Sequence, residues 1–347
     1  MSTLLITGGS GFLGYHLCNE LSKTFRKIIV VDIAPPISTE YPKNVIYFQA
    51  DICNQNQLQE IFAREKPNFV IHGAAALPLY PRKRIFQVNV LGTKNILDTS
   101  LKHKVKRVTF ISSTAVYGVP EKHPLYETDQ MIGVGPYGES KILAEKLCQE
   151  YRKKGLCVPI IRPKTFIGTG RLGVFQILYD WVETGKRIPI IGNGKNKYQL
   201  LEVVDLVAAI ALTLSEKESK VNDTFNVGAT NYKTVFEDVS SLCRYARSGA
   251  RVQKTPAFFV KFALQVFEAM KLSPLYKWVY GTADKDSFVS VEKIQTNLRW
   301  KPKYSNSDAL IRSYQWYLEH KEQCKGTGVT HRVAWSQGIL GLIKKFM

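Results

Sequence analysis

The segment Thr3-Leu-Leu-Ile-Thr-Gly-Gly-Ser-Gly-Phe-Leu-Gly14 restricts the fold of this chain more than any other. Leu4, Leu5 and Ile6 form a short apolar run, the pattern of a strand buried on both faces of a parallel sheet. Gly8, Gly11 and Gly14 follow at three-residue spacing, and apolar positions at helical spacing (Phe12, Leu13, Leu17, Leu21) begin among them. In a strand–loop–helix of this kind the first glycine makes a tight turn and the second lets backbone approach a diphosphate. The third lets the helix pack closely on the strand. The diphosphate would rest on the free N–H groups at the positive end of the helix. Gly8, Gly11, Phe12, Leu13 and Gly14 are therefore the candidate cradle. Lys27 to Val31 reads as a second strand, and Asp32 ends it, about 20 residues beyond the glycines, where such a fingerprint carries its acidic residue. A carboxylate there accepts from both hydroxyls of an adenosine ribose and repels a 2′-phosphate. Ile33 and Ala34 follow it rather than an arginine. The expected cofactor is NAD(H) and not its phosphorylated form.

Strand-like and helix-like segments continue to alternate, which predicts a doubly wound α/β parallel sheet. Strands are expected at Val45–Ala50, Phe69–His72, Arg107–Ser112 and Val158–Arg162, and helices at Gln57–Arg64, Arg82–His103 and from about Tyr137 to Lys153. Past Pro163 the pattern loosens. Helix-like Val174–Thr184, Val204–Ser215 and Lys233–Ala246 mix with short strands at Arg187–Ile191 and Thr224–Val227. The reading is a dinucleotide-binding domain over 1–165 and a smaller mixed α/β substrate-binding part over 166–325, interleaved through a late sheet strand near 224–227. A tail follows over 326–347. Two more helices are expected, an amphipathic one over Pro256–Leu272 and one over Asp308–His320, and the aromatic residues of 258–317 are assigned to core.

The chain has 347 residues with 48 basic against 29 acidic, net +19. Such a balance suits an anionic small substrate or an anionic membrane surface. Nucleic acid ranks last, because the basic residues are scattered and no nucleic-acid module is readable. Six cysteines without a C-x-x-C pair, and histidines without metal-ligand spacing, suggest reduced thiols and no metal site. With the glycine motif beginning at residue 3, no signal peptide is expected and the location is expected to be cytoplasmic.

The second informative stretch is Pro136-Tyr-Gly-Glu-Ser-Lys141. Tyr137 and Lys141, four apart on a helix, share a face. A nearby ammonium, together with a nicotinamide's positive charge, is expected to lower the phenol's pKa and let it act as a general base. Ser113, at the end of the fifth strand, supplies a hydroxyl to hold the reacting oxygen. Together with Asp51-Ile52, His72-Gly-Ala-Ala75, Asn89-Val-Leu-Gly-Thr93, Ser112-Ser113…Tyr117-Gly118 and Arg162-Pro163, these motifs make residues 1 to about 320 resemble the extended short-chain dehydrogenase/reductase family. That family includes NAD-dependent sugar-nucleotide epimerases and dehydratases. The resemblance implies that Tyr137 is the acid/base, Lys141 binds the nicotinamide ribose and Ser113 orients the substrate hydroxyl. It further implies that Asp51 and Ile52 flank the adenine and that Ala74, Ala75 and Ala76 line the diphosphate and ribose. Asn89 would tether backbone near the cofactor, and a homodimer is common in the family.

Dehydratases of that family carry an Asp-Glu pair after the active-site hydroxyl, where this chain has Thr114 and Ala115. A 4-epimerase is the leading expectation, with two alternatives. One is a 3β-hydroxysteroid dehydrogenase-like enzyme acting on a sterol-like or lipid alcohol; the other is a non-catalytic NAD-binding scaffold. At the substrate end Thr165 stands where an asparagine is usual and Tyr198 where an arginine is usual, so Thr165, Arg171 and Lys197 are the candidate substrate contacts, with Lys164 a further source of charge. In the tail, Trp335, Ile339, Leu342, Ile343 and Phe346 fall on one helix face, Arg332 precedes it, and Lys344 and Lys345 lie mostly away from it. That pattern is expected to lie on the inner face of a membrane or to pack on the protein itself.

Overall fold

The computed structural model describes residues 2–35, 41–270 and 277–323, with 332, 338, 340, 341 and 344 of the C-terminal segment. The first half runs β1 (Thr3–Thr7), α1 (Phe12–Leu21), β2 (Lys27–Asp32), β3 (Val45–Gln49), α2 (Gln55–Glu65), β4 (Phe69–His72), α3 (Arg82–Phe86), a π-helical turn (Gln87–Gly92), α4 (Thr93–Lys102), β5 (Arg107–Ile111) and α5 (Gly135–Lys153). The second half runs β6 (Ile160–Pro163), β7 (Thr165–Ile167), α6 (Val174–Glu183), β8 (Arg187–Ile191), β9 (Leu200–Glu202), α7 (Val203–Ser215), α8 (Glu218–Val221), β10 (Thr224–Val227), α9 (Val235–Ala246), β11 (Arg251–Thr255), α10 (Ala257–Ala269), α11 (Lys277–Thr282), α12 (Glu292–Leu298) and α13 (Asn306–His320).

Seven strands form one parallel sheet in the order β10-β6-β5-β4-β1-β2-β3. Leu4, Leu5, Ile28, Ile29, Val70 and Val108 have no exposed surface. A parallel sheet covered by helices on both faces buries both sides of each strand, which is why these strands are apolar throughout instead of alternating. One core cluster fills each face: Leu17, Leu206 and Ile210 on one side, Leu58, Phe62 and Ile96 on the other. Strand order reverses between β1 and β4, and that reversal is the place where an open α/β sheet leaves a crevice for a ligand. The expected fold class is the observed one.

Two departures concern local structure. The helix expected to run unbroken over Arg82–His103 contains the π-helical turn 87–92. The helix expected over Pro256–Leu272 spans Ala257–Ala269, and its aromatic residues are not core: Phe258, Phe259 and Phe262 are exposed, whereas Tyr280, Trp300, Tyr314 and Tyr317 are buried. Beyond the main sheet, β7 pairs with β9 and β8 with β11, each a two-stranded parallel unit. Around them a third cluster gathers Ile167, Tyr179, Trp181, Leu242, Leu310 and Tyr314. Trp335, Ile339, Leu342, Ile343 and Phe346, on which the tail reading rests, lie outside the described residues. Of the described ones, Arg332 sits over the Tyr15 ring, Leu340 packs on the third cluster and Lys344 pairs with Asp180.

Candidate active site

The glycine loop lies against the loop after β4, across the reversal point. Gly8 has φ +73°, and a Cβ there would stand 2.8 Å from the Ala74 backbone nitrogen. At Gly14 a Cβ would come within 2.4 Å of the Gly9 Cα. Both positions are therefore closed to any side chain, one by conformation and contact and the other by contact alone. Gly11 caps α1 without a side-chain hydrogen bond, so the first N–H groups of α1 receive no side-chain cap. The Ser10 hydroxyl is buried beside them without a hydrogen-bond partner among the described residues. Asp32, at the end of β2, accepts from the N–H groups of Ser10 (3.0 Å) and Ala34 (3.0 Å), and its pKa is raised by burial. A loop with an orphaned hydroxyl, an uncapped helix start and a carboxylate at its edge fits the diphosphate-ribose of NAD.

An open cleft of about 750 Å³ continues past Asp32, lined by Ile33, Gln49, Asp51, Cys53, Asn54 and Gln57. Asp51 accepts from the Cys53 N–H (2.9 Å) and pairs with Arg84 (3.0 Å), so its carboxyl is held below the usual range despite some burial. Ile52 does not join it: its side chain is buried in the second core cluster against Gly92. Of this pair, Asp51 borders the cleft with its side chain, while the Ile52 side chain packs into the core. Phe12 is likewise core, stacked on Phe166 with centroids 5.8 Å apart. Leu13 is partly buried against the first cluster.

Ala74 and Ala76 are fixed by two relays, the expected tether from Asn89 and a second one through His72 that the sequence did not reveal. Asn89 accepts from the Ala76 N–H (2.7 Å) and donates to the Ala76 carbonyl (3.2 Å) and to the Ser140 hydroxyl (3.0 Å). This ties the Ala74-Ala75-Ala76 loop to the start of α5, as a tether would. The Ala74 N–H donates to the Thr7 hydroxyl, which meets His72 Nδ1 at 2.7 Å; His72 Nε2 meets Thr93 at 2.9 Å, and Thr93 donates to the Asn89 carbonyl. Because Thr93 has spent its proton on Asn89, His72 must carry its own on Nε2. Burial, with Lys141 nearby, pushes its pKa down to about 3 and keeps it neutral.

Ser113, Tyr137 and Lys141 come together where β5 meets α5. Ser113 starts a 3₁₀ turn and accepts from the Ala115 N–H (3.1 Å), and its hydroxyl is the neighbour that favours the charged form of the Tyr137 phenol. Lys141 Nζ donates to the Ile111 carbonyl (2.8 Å) and lies 6.0 Å from the Tyr137 ring centroid. Burial lowers its pKa to about 8. The expected depression of Tyr137 by Lys141 is corrected. Burial pushes the phenol up to about 12, and Ser113 is the neighbour that offsets it in part. The places after Ser113 hold no acid or base: Thr114 donates to the Pro163 carbonyl (3.3 Å) and Ala115 is buried.

At the substrate end the two departures from pattern find each other. The Thr165 and Tyr198 hydroxyls are 2.8 Å apart. Lys164, 4% exposed, lies with its ammonium 5.0 Å from the Tyr198 ring centroid and donates to the Ser287 hydroxyl (2.6 Å). No carboxylate pairs with it among the described residues, and burial lowers its pKa to about 7. Arg171 is buried among the rings of Phe12, Phe166 and Phe175, at 5.3, 5.8 and 5.9 Å. Lys197 is exposed at the rim, its backbone N–H bonded to Asp286. A buried lysine directly after a strand-ending proline was the available signal for Lys164; the contribution of Ser287 could not be read, because it arrives from 123 residues away.

Comparison with known proteins identifies the family and the fold. Over its full span the chain is 34% identical to an uncharacterised protein, y4nG, of Sinorhizobium fredii, covering 99% of this chain and 86% of that one. It is 26% identical to a UDP-glucose 4-epimerase of Halalkalibacterium halodurans, covering 91% and 96%. Its fold superposes with TM-score 0.77 on a UDP-glucose 4-epimerase of Thermotoga maritima solved with UDP-glucose, at 23% identity, covering 92% of this chain and 99% of that one. Residues 4–228 match the model of the NAD dependent epimerase/dehydratase family. With that match spanning the glycine loop, the Ser113–Tyr137–Lys141 group and the last strand of the sheet, the chain belongs to the NAD-dependent epimerase/dehydratase family.

Proposed function

We propose that this chain is a 4-epimerase of nucleotide sugars that works on a tightly held NAD. The observation that carries the reading is the meeting of Ser113, Tyr137 and Lys141 at the mouth of the crevice, with Thr114 and Ala115 where a dehydratase would need a further acid and base. NAD, when bound, supplies the acceptor and later donor of hydride. Gly8, Gly11, Gly14 and Ser10 would hold its diphosphate, Asp32 its adenosine ribose and Lys141 its nicotinamide ribose. The Tyr137 phenolate takes the proton of the sugar hydroxyl at Oη, becoming the phenol, and returns it when the opposite face of the carbon is reduced; Ser113 holds the same sugar oxygen. A phenol pushed up to about 12 by burial needs cationic help to release its proton near neutrality. The nicotinamide's positive charge would be that source. Lys164, beside the Thr165–Tyr198 pair, replaces the missing arginine as the cation for the substrate's diphosphate. The tether and relay around Asn89 and His72 keep the Ala74–Ala76 wall still.

One observation favours a second reading. The side chains at 165 and 198 bond each other, which weakens the claim of a diphosphate on them and leaves room for a lipid secondary alcohol oxidised with net NADH release. Incubating the purified protein with panels of nucleotide sugars and of sterols separates the two. The expected result is retained NAD and interconversion of 4-epimers without accumulation of NADH, lost by several orders of magnitude in Tyr137→Phe while NAD stays bound. Stoichiometric NADH formed from a lipid alcohol, with no nucleotide sugar turned over, would overturn the epimerase reading.

A further inference from the structure

Helix α10 is reversed relative to an ordinary surface helix. Its two charged residues, Lys261 and Glu268, are turned towards the protein. Lys261 donates to the Gly281 carbonyl (3.0 Å) and pairs with Asp284, while the Tyr280 hydroxyl donates to Glu268. Leu264, on the same side, is buried. On the other side Phe258, Phe259, Phe262, Val266 and Met270 are 76%, 69%, 61%, 40% and 60% exposed. Positions 258, 262, 266 and 270 recur every fourth residue, so they form one continuous face with Phe259 at its edge. Single exposed apolar residues need no explanation, but three phenylalanines on one face mark a contact surface.

The element leading into this helix is basic. β11 runs through Pro256 directly into α10, and its partner is β8. Arg187 and Arg251 are register partners across that pair, both exposed, and Lys254 is exposed as well. Neither strand holds an acidic residue. Like charges placed opposite one another destabilise a sheet unless something negative lies on them.

We propose that α10 and the β8–β11 ribbon form a docking surface for an anionic lipid bilayer. The phenylalanines enter the boundary between headgroups and acyl chains, and Arg187 and Arg251 lie on the headgroups. A second copy of the chain would answer the apolar face but would bring another +19 molecule with the same basic ribbon against this one. A bilayer carrying negative lipid answers both features at once. This inference is independent of the reaction assigned above. It concerns the helix after β11 and is separate from the reading of residues 331–347, whose apolar face lies outside the described residues.

The test is co-sedimentation of the full chain with vesicles of phosphatidylcholine alone and of phosphatidylcholine with phosphatidylglycerol, at low and high salt. Three variants are compared with the parent: Phe258→Ser/Phe259→Ser/Phe262→Ser, Arg187→Gln/Arg251→Gln, and a chain ending at Gln323. Thermal melts confirm that each is folded. The expected result is that the parent and the shortened chain pellet with phosphatidylglycerol vesicles at low salt and are released by high salt. The phenylalanine variant stays in the supernatant. The arginine variant binds on the order of 20-fold more weakly, at roughly fivefold per lost charge. Four outcomes would overturn the proposal: a parent chain that never pellets, a phenylalanine variant that pellets like the parent, loss of binding only on shortening, or a parent dimer that the phenylalanine changes disperse without any vesicle binding.

Discussion

Burying Lys164 costs the folded chain free energy that one serine hydroxyl and one ring face do not return. Its pKa falls from 10.5 to about 7. Between those values the unfolded chain keeps the proton and the folded chain gives it up, so stability rises with pH across that window and the full penalty stands below pH 7. A shift of this size corresponds to a few kcal/mol, at about 1.4 kcal/mol per pKa unit. Lys164→Met is therefore expected to raise the melting temperature at pH 6 and to lose that advantage towards pH 10. In turnover the same change is expected to raise KM for an anionic substrate with kcat much less affected, and the parent's KM should climb as pH passes 7. Melting curves and steady-state kinetics at several pH values check both. A variant no more stable at pH 6 than the parent would mean that the ammonium is better solvated than its position indicates. The residue-scale reading of the sequence succeeded where a side chain's task is set by its near neighbours. Gly14 is required by contacts within its own loop, and Gly8 by the positive φ of its tight turn. It failed for the Tyr137 pKa, because burial is decided by elements distant in sequence.

That π-helical turn is the element that makes Asn89 useful. A π turn widens the helix by one residue and redirects a side chain. Here the Asn89 side chain meets both polar atoms of the Ala76 backbone and the Ser140 hydroxyl. Asn89→Leu would leave the Ala76 N–H and carbonyl buried without partners, at about 1–3 kcal/mol for each. The expected outcome is a stability loss of roughly 2–5 kcal/mol in urea unfolding together with weaker NAD binding, because Ala76 is one end of the proposed cofactor wall. Unchanged NAD affinity in a destabilised variant would confine Asn89 to a packing role. Periodicity could not show the turn, since the apolar positions of 82–103 read as helical straight through it. The same limit applies past Pro163. The strands of the main sheet are long apolar runs buried on both faces and were legible. Strands β7 and β9 have three residues each, and their partners are set by tertiary contact alone. For α10 the helix was legible and its orientation was not: the sequence holds an apolar stripe, but the inward contacts of Lys261, Leu264 and Glu268 turn that stripe outward.

At the scale of the molecule, one buried polar network fastens the two halves of the chain beneath the site. Glu145 of α5 pairs with Arg162 of β6 at 2.6 Å, with side chains 0% and 3% exposed, and accepts from the Ser112 hydroxyl. Arg162 also donates to the Tyr117 hydroxyl (2.7 Å) and the Glu127 carbonyl (3.1 Å), and Tyr117 donates to Asn226 of β10 (2.7 Å). Asn226 belongs to a strand that returns to the sheet only after the chain has built β7 to α8, so the network joins residues 112 to 226 around the turn that carries Ser113. Removing one charge leaves the other buried without compensation, which is strongly destabilising, whereas removing both is far milder. Glu145→Gln is thus expected to lose about 3–5 kcal/mol and on the order of 10 °C in melting temperature. The paired change Glu145→Leu/Arg162→Met is expected to lose less than the single one. Because the network crosses between early and late strands, the loss should appear as a single shifted transition seen equally by far-ultraviolet dichroism and by tryptophan fluorescence, which reports Trp181 and Trp300 in the later part. Two separated transitions in Glu145→Gln would show that the halves are coupled elsewhere. A double variant weaker than the single one would show that the ion pair itself, and not the avoidance of a lone buried charge, holds the sheet edge in place.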